Sequence, residues 1–337
     1  MFNNKVVLIT GVCGTVGVEI FKNLLTREKD SPKMVVGIDN NESELFFLDQ
    51  LHQNNEKAKL LMVDITSEKQ VSRVMNGVDI VLHGAAFKHV ILCEKMPSSA
   101  VKNNILGLQN LIFCAQQENI ERFVFMSSDK AVNPTNVMGT TKLLGERLVT
   151  AGNEDTGNTI FSSTRFGNIL GSNGSVLQIF SRQIANCEPL TLTSTEMTRF
   201  VMTVEDAARL VVDSVSIAQP GDVLITKMPI MRIEDIAAAC IAKIATDKHA
   251  KYPVKIIGAK PGEKLYEELM SDEETKRALE LKDYFVVKSV FAYQSKEQTI
   301  GEYEVINGEV TRPYNSSVEV AMNKDSVYKY LIDKELI

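Results

Sequence analysis

The sequence predicts an α/β protein built on a doubly wound parallel sheet, with a smaller second lobe woven through it. Three observations predict it. Short β-branched apolar runs recur along the first two thirds of the chain, helical stretches separate most of them, and a glycine cluster follows the first run. Lys5 to Thr10 (KVVLIT) is too short and too evenly apolar for a surface helix, so it reads as a buried parallel strand. Val16, Ile20, Phe21, Leu24 and Leu25 then fall at helical spacing. Further strands are expected at 34–38, 60–63, 80–82, 123–126 and 160–164, with a helix over 104–117. Right-handed crossovers place the loops after these strands along one carboxyl edge, where ligands bind.

The rhythm changes near Leu170. GSNGS (171–175) is a loop, 205–218 reads as a helix and 222–226 as one more sheet strand. The charged segment SDEETKR (271–277) reads as a solvated helix face. With neither repeat nor flexible linker in view, the expected division is 1–169 with 204–229 as the nucleotide domain. The second domain then comprises 170–203 with 230–337.

Composition narrows the class. The 337 residues suffice for about two domains and a large core. Apolar residues are 44% and charged residues 24%, as in ordinary globular proteins. The net charge of −6 lacks the basic footprint of a nucleic-acid binder. No run approaches the ~18 apolar residues of a membrane span, and no signal peptide is apparent before the first strand. Cys13, Cys93, Cys114, Cys187 and Cys240 are odd in number and far apart. They suit a reducing cytoplasm and neither a disulfide framework nor a metal site.

After the first strand comes Gly11-Val-Cys-Gly14-Thr15-Val16-Gly17. Glycines let a backbone approach a pyrophosphate, and the following helix offers free N–H groups and the positive end of its dipole. Strand before and helix after make this a Rossmann-type dinucleotide site. Asp39 ends the second strand, 22 residues past Gly17. A carboxylate there accepts from a ribose 2′-OH and repels a 2′-phosphate, which favours NAD over NADP. Asp64 and Ile65, after the third strand, are candidates to touch the adenine.

The fifth strand runs into Ser127-Ser128-Asp129-Lys130, so polar groups meet the sheet's carboxyl edge beside the expected nicotinamide. A helix starts near Asn136, and Met138 and Lys142, four apart, share one face of it.

These segments carry a resemblance. SSDKAVNPTNVMGTTKLLGE (127–146), HGAAFKHV (83–90), RFGNILGSNGSV (165–176), MTRFVMT (197–203), KPGEKLYEEL (260–269) and RPYNSS (312–317) resemble an extended short-chain dehydrogenase/reductase. Within that superfamily the chain is similar to the bacterial UDP-N-acetylglucosamine 4,6-dehydratases of polysaccharide and glycan biosynthesis, in a short form without a membrane-spanning extension. Most of the superfamily has Tyr-x-x-x-Lys, whose tyrosine takes the proton of the hydroxyl being oxidised. Met138 stands in that place, as in part of the dehydratase subgroup, and a thioether cannot do this.

The resemblance implies NAD-dependent loss of water from a nucleotide sugar. A hydride leaves C4 to NAD⁺, Lys130 removes the C5 proton, Asp129 protonates the departing C6 hydroxyl, and the hydride returns to C6. Ser128 would bond the C4 oxygen, and Lys142 would hold the nicotinamide ribose. Ala85 and Ala86 would line the cofactor. Lys88, Asn168, Ser175, Arg199 and Glu263 would meet the substrate, with 260–264 closing over the nucleotide. His83 and His89 are expected to be structural.

Lys130 must be neutral to act as a base, and free lysine titrates near ~10.4. A drop of ~3 units, worth ~4 kcal/mol, is expected from burial and a neighbouring cation such as Lys142 or the nicotinamide ring. Lys142, Lys130 or a water remain open as acceptors of the C4 hydroxyl proton. GDP-N-acetylglucosamine as substrate, inversion at C5, epimerase chemistry, and a non-catalytic NAD(H) sensor are the competing readings. The apolar faces of 104–117 and 140–149 suggest a homo-oligomer.

Overall fold

The computed structural model describes residues 1–154, 157–244, 252–259, 262–291 and 303–337. In chain order the first half holds β1 (Val6–Thr10), α1 (Thr15–Leu25), β2 (Met34–Asp39), α2 (Glu42–His52), β3 (Ala58–Met62), α3 (Glu68–Met75) and β4 (Ile80–His83). It continues with α4 (Val90–Lys95), α5 (Pro97–Val101), a π turn (Lys102–Leu106), α6 (Gly107–Gln117), β5 (Arg122–Ser128), a 3-10 turn (Asp129–Ala131) and α7 (Val137–Ala151). Then follow β6 (Ile160–Phe166), β7 (Asn168–Ile169), α8 (Val176–Ala185), β8 (Leu190–Leu192), β9 (Thr198–Met202), α9 (Val204–Ile217) and β10 (Val223–Thr226). The last part holds β11 (Ile230–Arg232), α10 (Ile233–Ile244), β12 (Val254–Ile256), β13 (Glu268–Met270), α11 (Asp272–Thr275), β14 (Ala278–Leu281) and β15 (Tyr284–Val287). It ends with β16 (Val305–Asn307), β17 (Tyr314–Asn315) and a helix over Lys324–Asp333.

The large sheet runs β3-β2-β1-β4-β5-β6-β10 in parallel, then β15, β14 and β16 in antiparallel sense. Strand order reverses between β1 and β4, the switch point where open α/β sheets bind ligands. Both faces are covered, which is why the strands read as continuous apolar runs. Along β1, Val7 and Ile9 pack with Ile20, Phe21 and Leu24 of α1 and with Leu210 and Val211 of α9. Leu8 points the other way, to a core with Val71 of α3 and Leu108, Leu111 and Ile112 of α6. Each such side chain taken fully from water contributes ~1.5–3 kcal/mol.

A third core lies outside the large sheet. Leu170, Phe180, Leu190, Val201, Met231, Ile236, Val327 and Leu331 form it. The smaller sheet β11-β9-β7 connects it to the strands above. The expected boundaries differ from the structure at β7, which joins the small sheet, and near the C-terminus. Residues 278–287 and 305–307, assigned from sequence to the second domain, are strands of the large sheet, because β15 pairs antiparallel with β10. The segment 271–277 also departs from expectation. Its helix is one turn long, and Glu274 and Arg277 are buried, not solvated.

Candidate active site

The loop after β1 closes too tightly for any side chain at two places. Gly11 has φ +70°, and a Cβ there would lie 2.7 Å from the Ala85 nitrogen. At Gly17 a Cβ would lie 2.3 Å from the Gly11 carbonyl oxygen. Gly14 caps α1 and has no side chain to occupy the first N–H groups of the helix. A cavity of about 770 Å³ opens above this loop, lined by Gly11, Gly14, Thr15, Val16 and Gly17. Ala86, Lys88, Ser128, Asp129, Lys130, Met138, Lys142 and Asn168 complete its functional lining.

Asp39 stands at the end of β2. Its carboxylate accepts from the Cys13 and Asn41 backbone N–H groups at 3.1 and 3.0 Å, which fixes its direction and leaves lone pairs on both oxygens. Asp64 is used locally, accepting from the Thr66 N–H at 2.8 Å, and Ile65 is a core residue packed beneath Gly107. Ala85 backs onto Thr10, whose hydroxyl accepts from its N–H at 3.2 Å. His83 is buried with Nδ1 2.6 Å from the Thr10 hydroxyl, and burial pushes it down to about 3, so it stays neutral.

β5 delivers Ser128, Asp129 and Lys130 to the cavity wall. The 3-10 turn that follows bends the chain back so that adjacent side chains meet. The Ser128 hydroxyl donates to Asp129 Oδ1 at 2.7 Å. Lys130 Nζ donates to both Asp129 oxygens, at 3.0 and 3.3 Å, and lies 3.4 Å from Glu267 Oε1. Burial pulls the Lys130 ammonium down, but the Asp129 and Glu267 carboxylates outweigh it and hold it above its ordinary value. This corrects the expectation of a lowered lysine. The neighbours that decide are two anions, and the cation facing it is Arg199, not Lys142.

Met138 and Lys142 sit on the buried face of α7. Lys142 Nζ donates to the Met126 carbonyl at 2.7 Å and lies 4.7 Å from the Phe125 ring centre. Burial lowers it to about 8, against the Glu146 carboxylate. Met138 packs with Cys93 and Ala100 and brings no polar atom able to take a proton.

A second cavity of about 570 Å³ adjoins the first, and Lys130 and Asn168 line both. The Asn168 Oδ1 is buried with no protein partner, an open acceptor at the seam. Arg199, Glu263, Lys264 and Glu267 line the second cavity. The sequence places Arg199 among the groups that would meet the substrate. Its guanidinium instead donates to the carbonyls of Thr198, Leu265 and Lys264, with Nε 3.7 Å from Glu267, so it straps the 264–267 segment in place. Glu263 accepts from the Thr193 hydroxyl at 3.4 Å. Ser175 stands at the N-cap position of α8, but its buried hydroxyl makes no capping hydrogen bond and has no protein partner. Lys88 Nζ donates to the Asn173 carbonyl at 2.9 Å, and the Asn173 N–H reaches the Thr15 hydroxyl at 3.4 Å. The 171–175 loop thus lies across the glycine loop. Of the segment expected to close over the nucleotide, Lys260 and Pro261 lie outside the described residues. Gly262 is latched to Thr135 and Asn136, and Lys264 to the Val132 carbonyl.

Sequence reasoning missed Glu267, Arg165, Glu146 and Glu274. All four lie in segments that carried the resemblance or the charged run, but nothing in their spacing says which carboxylates turn inward. Among the described residues no group of three or more His, Cys, Asp or Glu could hold a metal ion, and no helix is long and apolar enough to cross a membrane.

The family model of the polysaccharide biosynthesis proteins matches residues 7–289, and the chain belongs to that family. It is of the extended short-chain dehydrogenase/reductase type that includes the UDP-N-acetylglucosamine 4,6-dehydratases. It is 42% identical over 335 residues to an "uncharacterized membrane protein" of Methanocaldococcus jannaschii, covering 98% of this chain and 96% of the other. It is 34% identical to a UDP-N-acetylglucosamine 4,6-dehydratase (inverting) of Campylobacter jejuni, over 85% of this chain and 84% of that one. A UDP-glucose 4-epimerase of Rickettsia massiliae is 35% identical, over 85% and 83%. Among solved structures, Pen from Bacillus thuringiensis superposes with a TM-score of 0.90 at 35% identity, covering 100% of this chain and 99% of that one.

Proposed function

We propose that the protein is a nucleotide-sugar 4,6-dehydratase acting on UDP-N-acetylglucosamine with NAD. The observation that carries the reading is the Asp129–Lys130 pair at the carboxyl end of β5, at the seam of two cavities. Elimination needs an acid and a base on neighbouring carbons; C4 epimerisation needs neither at C5 and C6. The glycine loop, the uncapped start of α1 and Asp39 fit a dinucleotide's pyrophosphate and ribose. When bound, NAD⁺ supplies a hydride acceptor at C4 and a donor at C6.

The chain's own groups handle the protons. The C4 hydroxyl proton passes through Ser128 to Asp129, along the 2.7 Å hydrogen bond, in place of the tyrosine route. Asp129 then protonates the C6 oxygen, which leaves as water. Lys130 takes the C5 proton and returns one to C5. Lys142 holds its positive charge beside the sheet edge, where it favours the dinucleotide ribose. The lining of the second cavity, including Asn168 and Glu263, meets the sugar nucleotide. Exposed Leu106, Phe113 and Leu144 support pairing of α6 and α7 with a second copy of the chain.

Mass spectrometry of UDP-N-acetylglucosamine incubated with the protein tests this. The expected product is lighter by one water, and Asp129→Asn or Lys130→Ala lowers its rate ~10³-fold, within the usual range for lost acid–base groups. A GDP-N-acetylglucosamine arm reads base preference, and proton NMR of the product reads configuration at C5. Conversion at unchanged mass with C4 inverted would establish the epimerase instead, which the Rickettsia relative favours. An untouched substrate despite bound NAD(H) would overturn both.

A further inference from the structure

We propose that Glu267 is a positioning residue for Lys130 that takes up its proton, so that the site works as an acid, a base and a proton store. The inference rests on the dehydratase reading. Its starting point is geometry. Lys130 Nζ lies between two carboxylates, 3.0 Å from Asp129 and 3.4 Å from Glu267. Glu267 is 3% exposed and lines the second cavity.

Proton counting makes a third group necessary. At rest the ammonium of Lys130 faces two anions. Oxidation at C4 releases a hydride and one proton. The Asp129–Lys130–Glu267 set then holds two protons, one from Lys130 and one from the C4 hydroxyl. Elimination requires one on Asp129, to leave with the C6 oxygen, and none spare on Lys130, which must accept the C5 proton. The remaining proton belongs on Glu267. An Nζ–H bond breaks and an O–H bond forms on Glu267 Oε1, and the transfer reverses once C5 is reprotonated. With Asp129 and Lys130 alone, both would be protonated after oxidation and no base would remain. Met138, in the place of the usual tyrosine, removes the group that would otherwise take this load.

The surroundings suit a carboxyl that changes charge. Burial pushes Glu267 up, and the neighbouring Asp129 adds to this, while Lys130, Arg199 and Lys264 pull it down. Lys264 also lies 3.6 Å from Glu268, so its charge is shared. The backbone of Glu267 is fixed from both sides: its N–H donates to the Ser316 hydroxyl at 3.0 Å, and its carbonyl accepts from the Ser316 N–H at 2.9 Å. This gives RPYNSS (312–317) a task, since β17 pairs with β13 and Ser316 locks the residue before it. Arg199 Nε, 3.7 Å from the same Oε1, holds the side chain toward Lys130.

The test compares Glu267→Gln and Glu267→Asp in the NAD-loaded protein, with melting temperature as the control for folding. With UDP-N-acetylglucosamine, Glu267→Gln should still take up hydride, seen as reduced-nicotinamide absorbance that accumulates. Release of water should fall ~100-fold or more, and solvent deuterium should not enter C5. Below the alkaline fall-off that Lys142 sets, its water release should climb with pH more steeply than that of the wild type, because hydroxide then removes the Lys130 proton. Glu267→Asp should recover to within about tenfold of the wild type. Water release by Glu267→Gln within threefold of wild type, or equal loss of hydride uptake and water release with an unchanged pH profile, would overturn the inference. A wild-type protein that releases no water fails the dehydratase reading first, and the inference falls with it.

Discussion

Two cations in this protein each sit between two carboxylates, and they do opposite work. Arg165, on β6, spends all five N–H donors. Nε and Nη2 hold Glu146 at 2.9 and 2.7 Å, Nη1 and Nη2 hold Glu274 at 2.9 and 2.7 Å, and Nη1 also reaches the Leu269 carbonyl at 2.9 Å. It is 1% exposed, and its two carboxylates hold it further above an already high value. Lys130 has longer contacts, a side chain 25% exposed, and a cavity on either side. A guanidinium in a closed fork does not give up its proton, whereas an ammonium between carboxylates can. The same charge pattern therefore makes a clamp in one place and an acid–base centre in the other. The clamp ties α7, which carries Lys142, to the segment just after β13.

The largest effect should come from swapping the cation for a methionine in each cluster. Arg165→Met leaves two carboxylates in a dry core, and breaking such a pair typically costs ~3–5 kcal/mol. Denaturant unfolding should read that loss directly. Lys130→Met should cost less than half as much, because cavity water can reach the carboxylates and protonate them, yet it should abolish water release. Equal stability losses in the two variants would erase the distinction between clamp and centre.

That contrast marks how far the sequence could be read. The glycine loop and Ser128-Asp129-Lys130 were legible because each lies within a few residues of a strand end, and the Met138–Lys142 face because residues four apart share one side of a helix. The doubly wound parallel sheet and its ligand-binding carboxyl edge followed from the alternation of strand and helix. Arg165 and Glu274 are 109 residues apart, and no local rule joins them. Glu267 comes just before Glu268, the first residue of the short strand β13, so which one faces Lys130 depends on pairing with β17. The strands at 278–287 were misassigned for the same reason: β15, which carries β14 with it, pairs with β10, more than fifty residues earlier.

A smaller effect separates the clusters by pH. Arg165 holds the Glu274 carboxyl down at about 2 despite burial, against an ordinary value of 4.5. A carboxyl lowered in the folded state contributes stability that is present above 4.5 and lost as pH falls through about 2. The contribution is roughly 3 kcal/mol. Glu267 is shifted the other way, so its contribution is present at low pH and lost as pH rises through its folded value. Glu274→Gln should flatten the acid limb of stability between about pH 5 and 2, measured by denaturant midpoints. Glu267→Gln should leave that limb in place.

The smallest effect joins the two regions. Glu146 belongs to the clamp, but it sits on α7 one turn beyond Lys142, and its charge raises that lysine against the pull of burial. Lys142 stands at about 8, so it is charged at neutral pH and loses that charge just above. If its charge supports hydride transfer, the wild-type rate should halve near pH 8 and fall further above it. Glu146→Gln removes the anion that raises Lys142, so the alkaline limb should move to lower pH while the optimum rate changes little. Arg165 keeps Glu274 in that variant and the fold should survive, though less stable. An alkaline limb that stays put in Glu146→Gln would mean that another group sets it, and that clamp and centre are electrically independent despite sharing a helix.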